Sequence, residues 1–358
     1  MPKNRWKIFL DHYDLGQLIH TKRSNRGYIN ITYEIETLKD GKMNRHFLRI
    51  YRKGTLEEKI MFEHALLNEL FIRGFEISPR LIPSKSDKTY VMVGNQTTGD
   101  PEEYYMSVFS CLPGKDKYSW DDPICTYKEL SNAAKILALY HNTIFEWKGI
   151  TGWKDQRTIE KILLMPKQWR GYSRSAGTSP FDHYFLEQFD YLVKAFQNFP
   201  KNSFYNSMPH LVVHGDYHPG NLKFQDEEVS GVFDFDWSKI DARSFDVGCA
   251  IFFFCTAWEG NLDGTLLLHR VDSFLEAYQG AAKEMKRIGP LNRLELEYLP
   301  EMIHMSNLSI IDWIISEFYS TNANPQKYLY YLQHSVRLIR WLEGHRDQLY
   351  ERIMKHRK

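Results

Sequence analysis

At 358 residues the chain is longer than the roughly 250 to 300 residues that one hydrophobic core serves, so two lobes are expected. Its 43% hydrophobic, 15% aromatic and 25% charged content excludes a disordered, collagenous or coiled-coil chain. Lys+Arg 46 against Asp+Glu 45 leaves a formal charge of +1, which gives no electrostatic basis for nucleic acid or an anionic membrane as a partner.

The first residues, MPKNRWKIFLDHYD, contain no apolar run of signal-peptide length, and no stretch approaches the ~18 apolar residues of a membrane span. A cytoplasmic protein is expected. Cys111, Cys125, Cys249 and Cys255 show neither a paired nor a framework spacing, which fits a reducing compartment.

In chain order, residues 28–38 and 46–52 are β-branched and aromatic runs around the turn signal KDGK, which predicts an antiparallel hairpin. A helix follows from Leu56 to Arg73, with Ile60, Leu66, Leu67, Leu70 and Phe71 on its apolar face and Gly74 as its stop. Strands are predicted at 88–94 and 104–112, closed by Pro113-Gly114. The expected first lobe is therefore 1–113, a strand-rich sheet carrying one helix. The expected second, 114–358, is mainly helical, with its clearest helical periodicity at 128–143. Within it, 211–216 and 229–237 are short β-type runs flanking a loop, 171–180 reads as a surface loop, and the chain turns apolar and helical again from Phe245.

Chemistry concentrates at HGDYHPGN, residues 214–221, followed thirteen residues after Asn221 by Asp234 in GVFDFDW. Phosphoryl transfer needs a carboxylate to orient and deprotonate the attacking hydroxyl, and oxygen ligands to hold Mg2+ on the nucleotide phosphates. Asp216 fits the first role, and Asn221 and Asp234 the second. If 231–237 is a strand, Asp234 and Asp236 share one face and Phe233, Phe235 and Trp237 the other. Glu63 lies within the apolar stripe of its helix, where an unpaired carboxylate is costly, so a cation is expected beside it; Arg49 is the natural one. His214 is expected to support the loop, and Asp246 to tie that loop to the following helix.

HGDxHxxN followed by a D-x-D segment is similar to the aminoglycoside phosphotransferase and choline kinase superfamily. The likeness extends over residues 25–280, and homoserine-kinase-like and aminoglycoside-kinase-like members are the nearest in character. It implies an α+β, bilobal protein-kinase-like fold, with a small antiparallel-sheet N-lobe carrying one helix and a larger, mainly helical C-lobe. It further implies transfer of the γ-phosphate of ATP or GTP, with Mg2+, to a hydroxyl of a small molecule such as homoserine or an aminoglycoside. The segment from Asn30 resembles the family's first hairpin over the phosphates. Arg49 stands where the family usually has a phosphate-contacting Lys, and Glu63 matches the helix Glu that pairs with it. The first loop contains only Gly27. Phe109 to Gly114 resembles the hinge whose backbone meets the purine, which points to Ser110 and Leu112.

For the acceptor, His218, Trp258, Asp312, Trp313 and Glu317 are the candidates, between the catalytic loop and the C-terminal helices. Asp312 and Glu317 are placed to receive a substrate amine, or else solvate a helix face. Trp258, Trp313, Phe318 and Tyr319 make a quaternary-ammonium cage in a choline- or ethanolamine-type alternative, or simply core. A pseudokinase, suggested by Arg49 in place of Lys, is the rival from outside enzymology.

Overall fold

A computed structural model describes residues 10–24, 29–93, 104–197, 204–321 and 323–357. Gly27, Tyr28 and Gly94, which figure in the expectations above, lie outside the described residues. The chain divides into two compact units. The first comprises residues up to Gly114 with Gly149–Trp153 and Ser230–Asp236; the second comprises Lys115–Lys148, Lys154–Val229 and Trp237–Lys358.

The first unit is built on the hairpin of β2 (Ile31–Lys39) and β3 (Lys42–Ile50), in register from Lys39↔Lys42 to Ile31↔Ile50 across the two-residue Asp40-Gly41 turn. With β1 (Gln17–Arg23), β4 (Leu81–Ile82), β5 (Val91–Val93) and β6 (Tyr104–Ser110) it forms an antiparallel sheet in the order β1-β2-β3-β6-β4, with β5 also on β6. Alternate residues Leu48 and Ile50 enter the core with Ile35, Met106 and Val108, which leaves Arg49 on the opposite face. Strand β1 was not foreseen. Its exposed, basic residues form an edge with little period-two patterning, and a bulge between Leu18 and His20 breaks its register.

Helix α1 (Glu57–Ile72) buries Ile60, Phe62, Leu66, Leu67 and Leu70, and also Glu63 and His64. Phe71, expected in the stripe, is exposed instead, with the Arg80 guanidinium 4.0 Å above its ring. The segment from Ser230 joins this unit through Val232 N–H to the Ile77 carbonyl and Ser230 Oγ to that of Pro113.

The second unit begins with α2 (Tyr127–Ile144), started by a Thr126–Glu129 capping box. Helices α3 (Thr158–Arg174) and α4 (Pro180–Gln197) follow, so half of the 171–180 stretch is helix end and the loop is the five residues between them. Strand β7 (His210–Val213) pairs with β10 (Lys239–Ala242), while β8 (Leu222–Gln225) and β9 (Glu228–Val232) form a hairpin of their own. The two β-type runs read from the sequence are thus real, but each pairs with a short strand that four residues were too few to signal. Helix α5 (Arg243–Cys255), every residue of it buried, leads to α6 (Leu268–Lys283), α7 (Arg293–Glu297), α8 (Leu299–Ser320) and α9 (Pro325–Met354). Among the described residues no helix is long and apolar enough to cross a membrane.

Candidate active site

The candidate residues of the first unit centre on Arg49 of β3. Its Nη1 donates to Glu63 Oε1 at 2.8 Å and its Nη2 to Asp234 Oδ1 at 3.0 Å. The planar guanidinium thereby links a helix to the segment after β9, a task for a fork of N–H donors and not for a point charge. Burial opposes the charge on Arg49, but Glu63 and Asp234 outweigh it and raise the pKa further above the ordinary value, so the group stays charged. Burial likewise pushes the Glu63 carboxyl up while Arg49 pulls it down. Phe109 lies beneath the guanidinium at 5.2 Å.

Glu63 is held from a second side: Tyr51 Oη donates to Oε2 at 3.2 Å and stands 3.0 Å from His64 Nε2, and His64 Nδ1 stands 2.8 Å from Thr89 Oγ1. Burial, with Arg49 adding to it, depresses the His64 pKa to about 3, so the imidazole is neutral within this network. The ion pair expected from the apolar setting of Glu63 is present. The second bond, to Asp234, had no signal in the sequence.

Asp234 and Asp236 do not share a strand face. Strand β9 ends at Val232, Asp234 takes a left-handed φ of 68°, and Phe235–Trp237 form a 3-10 turn. The two acids consequently part: Asp234 goes to Arg49, and Asp236 Oδ2 accepts Asn30 Nδ2 at 2.9 Å. Asn30 Oδ1 accepts the Arg52 backbone N–H at 3.0 Å, so this side chain ties three chain segments. Ser110 ends β6 with its N–H on the Arg80 carbonyl and its Oγ accepting the Arg80 N–H. That N–H is therefore committed within the sheet, whereas Leu112 lies in the irregular segment beyond the strand.

In the second unit the loop after β7 carries Asp216. Gly215 has φ 79°, and a Cβ there would sit 2.6 Å from the Trp237 carbonyl oxygen, so only glycine fits this bend. Asp246, in the first turn of α5, accepts the backbone N–H groups of His214 (2.8 Å) and Gly215 (2.9 Å) and contacts His141 Nε2 at 3.0 Å. Burial works against the Asp246 carboxylate, but these donors prevail and lower its pKa. Burial lowers that of His141 too, so a neutral imidazole donates here, and its Nδ1 meets Tyr278 Oη at 2.8 Å. Tyr278, a residue of α6, carried no sign of this role in the sequence. His214, fully buried, accepts the Asp216 N–H at Nδ1 at 3.3 Å.

Asp216 itself is a quarter exposed. Asn221 Nδ2 donates at 2.9 Å to both the Asp216 carbonyl and its Oδ2, which fixes the orientation of the amide on this loop. Its donor side is spent on Asp216 and its acceptor side suits a hard cation. His218 is buried, with Nδ1 accepting the Gly220 N–H at 3.0 Å and Nε2 3.5 Å from Asp216 Oδ2.

The remaining acceptor candidates do not gather around one cation. Trp258 is buried, stacked on His334 at 3.5 Å and edge-on to Trp120, which Trp313 meets at 5.6 Å. Phe318 stacks instead on Phe181 and Tyr319 on Tyr172. Asp312 accepts the Trp169 indole N–H at 2.9 Å, and burial raises its pKa. Its carboxyl is thus already engaged inside a helix contact. Glu317 is buried in α8. Among the described residues no three His, Cys, Asp or Glu side chains cluster as a metal cage, which is the ordinary situation for Mg2+, held chiefly by phosphates and water.

Residues 20–288 match the family model of the phosphotransferase enzyme family, APH. A homoserine kinase of Agrobacterium fabrum is 25% identical over 355 residues, spanning 97% of this chain and 94% of its own. Among solved structures, amicoumacin kinase hAmiN in complex with AMP-PNP, Ca2+ and Ami superposes with a TM-score of 0.63 at 15% identity, covering 96% of this chain and 94% of that one. Choline kinase from Cryptosporidium parvum does so with a TM-score of 0.60 at 14% identity, covering 94% and 92%. These likenesses show the protein-kinase-like fold.

Proposed function

The chain belongs to the phosphotransferase enzyme family, and from that premise we propose that this small-molecule kinase moves the γ-phosphate of ATP or GTP to a hydroxyl, homoserine being the first acceptor to try. The full-length likeness to homoserine kinases supports the choice of acceptor. The observation that carries the chemistry is the pinning of Asp216 by Asn221, which fixes a part-exposed carboxylate while keeping an amide oxygen for a cation.

In this reading the acceptor oxygen attacks the γ-phosphorus in line, the bond from that phosphorus to the β-phosphate oxygen breaks, and the hydroxyl proton passes to the Asp216 carboxylate. Asn221 and Asp234 are each a ligand that would serve Mg2+, which when bound would supply charge neutralisation on the phosphates. Arg49, with Glu63 fixing its direction, contacts phosphate in place of the usual Lys. The backbone beyond β6, at Leu112, meets the purine. A quaternary-ammonium acceptor finds less support, because Trp258 and Trp313 pack onto Trp120 and not around an opening.

Asp216→Asn and Asp234→Asn test the division of labour. The first is expected to lower kcat by about a thousandfold, within the range of general-base losses, with the Kd for Mg-nucleotide nearly unchanged by titration calorimetry. The second is expected to weaken Mg-nucleotide binding. Loss of nucleotide affinity in Asp216→Asn with retention in Asp234→Asn would exchange the two roles and sink the reading.

A further inference from the structure

The catalytic loop contains a second imidazole that the proposed reaction does not yet use. His218 is buried, with its ring against Phe253 at 4.9 Å between centroids. Its two nitrogens face different groups. Nδ1 accepts the Gly220 N–H at 3.0 Å. A backbone amide can only donate, so in the neutral ring Nδ1 carries the lone pair and the proton resides on Nε2. Nε2 stands 3.5 Å from Asp216 Oδ2, a close approach that is not a hydrogen bond at rest and that becomes one on a small closure of the kind catalytic contacts undergo when substrate binds.

Asn221 Nδ2 donates to the same Oδ2 at 2.9 Å. One donor is therefore bonded to Oδ2 and a second stands near it, and in the proposed reaction Oδ1 is the oxygen that serves the incoming hydroxyl. The loop is built around this ring. A Cβ on Gly220 would lie 2.8 and 2.9 Å from His218 Cε1 and Nδ1, and 3.1 Å from the Ser119 carbonyl carbon, so a side chain at 220 displaces the imidazole.

We infer that His218 is a positioning residue: Gly220 N–H fixes its tautomer, and its Nε2–H, with Asn221 Nδ2, orients the Asp216 carboxylate so that Oδ1 receives the acceptor proton. The inference rests on the phosphotransferase reading of Asp216. It replaces the expectation that His218 touches the acceptor, since neither ring nitrogen faces away from the loop. A carboxylate left to rotate presents Oδ1 in the wrong direction for part of the time, which lowers turnover without removing any nucleotide contact.

Three variants separate positioning from loop support. His218→Phe keeps the ring against Phe253 and loses both polar contacts. His218→Gln offers an amide N–H at about the distance of Nε2. His218→Asn offers an acceptor at about the place of Nδ1, for Gly220, and nothing that reaches Asp216. Turnover is measured by nucleoside diphosphate release with Mg-ATP and whichever of homoserine, choline, ethanolamine and a set of aminoglycosides the parent phosphorylates. Calorimetry with Mg-ADP reports nucleotide affinity.

The expected result for His218→Phe is a kcat lower by about 10- to 100-fold, with the KM of the acceptor and the Kd of Mg-ADP within about threefold of the parent. His218→Gln should recover most of kcat and His218→Asn little. Recovery by Asn but not by Gln would make the ring a prop for Gly220 and overturn the assignment, as would a His218→Phe enzyme with parental kcat or one whose loss lies in acceptor KM. A parent that phosphorylates no member of the panel would instead sink the proposed function, and this inference with it.

Discussion

Replacing Arg49 by Met removes the guanidinium that is hydrogen-bonded to the buried Glu63 carboxylate. Glu63 is 3% exposed and keeps the Tyr51 hydroxyl as a donor at 3.2 Å, with Lys59 as a more distant favourable charge. Breaking a buried pair from one side costs about 3 to 5 kcal/mol when the remaining charge is trapped. Glu63 can escape by taking a proton. Holding a carboxyl of ordinary pKa 4.5 neutral at pH 7 costs about 1.4 kcal/mol for each of two and a half pH units, or about 3.4 kcal/mol, which caps the loss. The released Asp234 side chain is 37% exposed and adds little. The sign with pH follows. Glu63 in the variant is protonated when folded and ionised when unfolded, so its folded pKa is raised. The deficit is therefore largest at pH 7 and shrinks by about 1.4 kcal/mol per unit toward pH 5. Hydrogen exchange in peptides covering 42–50 and 57–72 reads this locally: at pH 7 a 3 kcal/mol loss makes their opening about 150-fold more frequent. Glu63→Gln added to Arg49→Met should restore most of the protection, and Arg49→Lys should lose only about 1 kcal/mol by keeping the charge without the fork. Exchange in Arg49→Met within threefold of the parent, or a deficit that does not change between pH 7 and 5, would refute the pairing as the source of Glu63's tolerance.

Asp246→Ala leaves the His214 and Gly215 amides and the His141 imidazole buried without an acceptor, a loss of about 3 kcal/mol or more. Turnover should fall while Mg-ADP affinity persists, and parental kcat in a folded Asp246→Ala enzyme would detach this acid from the catalytic loop. Acid should destabilise the protein below pH 6.5: burial lowers the pKa of His64 to about 3 and of His304 to about 4, and also depresses His141 and His334. These stabilising contributions are whole above the unfolded value and lost as pH falls toward the folded ones, with His304 alone worth about 3 kcal/mol by pH 4. Urea midpoints that stay level from pH 7 to 5 would contradict this.

The catalytic loop was legible because its chemistry and its backbone need the same few residues. Gly215 is required by the bend, Asn221 by its hydrogen bonds to Asp216, and Asp216 by the reaction proposed above, so a single octapeptide carries the position and the spacing of the loop. Long amphipathic helices such as α2 were legible because period and cap agree. Where one tertiary partner decides, the sequence was silent. Strand β10 exists because Lys239 to Ala242 lie along β7, and Phe71 is exposed although its helical phase places it with the core. The aspartates of GVFDFDW misled for a third reason. Alternation of acid and aromatic is what a strand writes, but the positive φ at Asp234 ends the strand where its pattern continues.

Arg49 is the clearest case of a local oddity resolved by long-range geometry. Read along the chain, Arg for Lys looks like a weakened phosphate site and invites the idea of a lapsed enzyme. Set among its partners, the guanidinium spans two carboxylates on separate segments, one 14 and one 185 residues away in sequence. An ammonium is a compact point charge on a flexible stem, whereas the guanidinium presents its donors on two edges at once. Each edge has its own anion here, so the exchange adds a connection between α1 and the segment bearing Asp234.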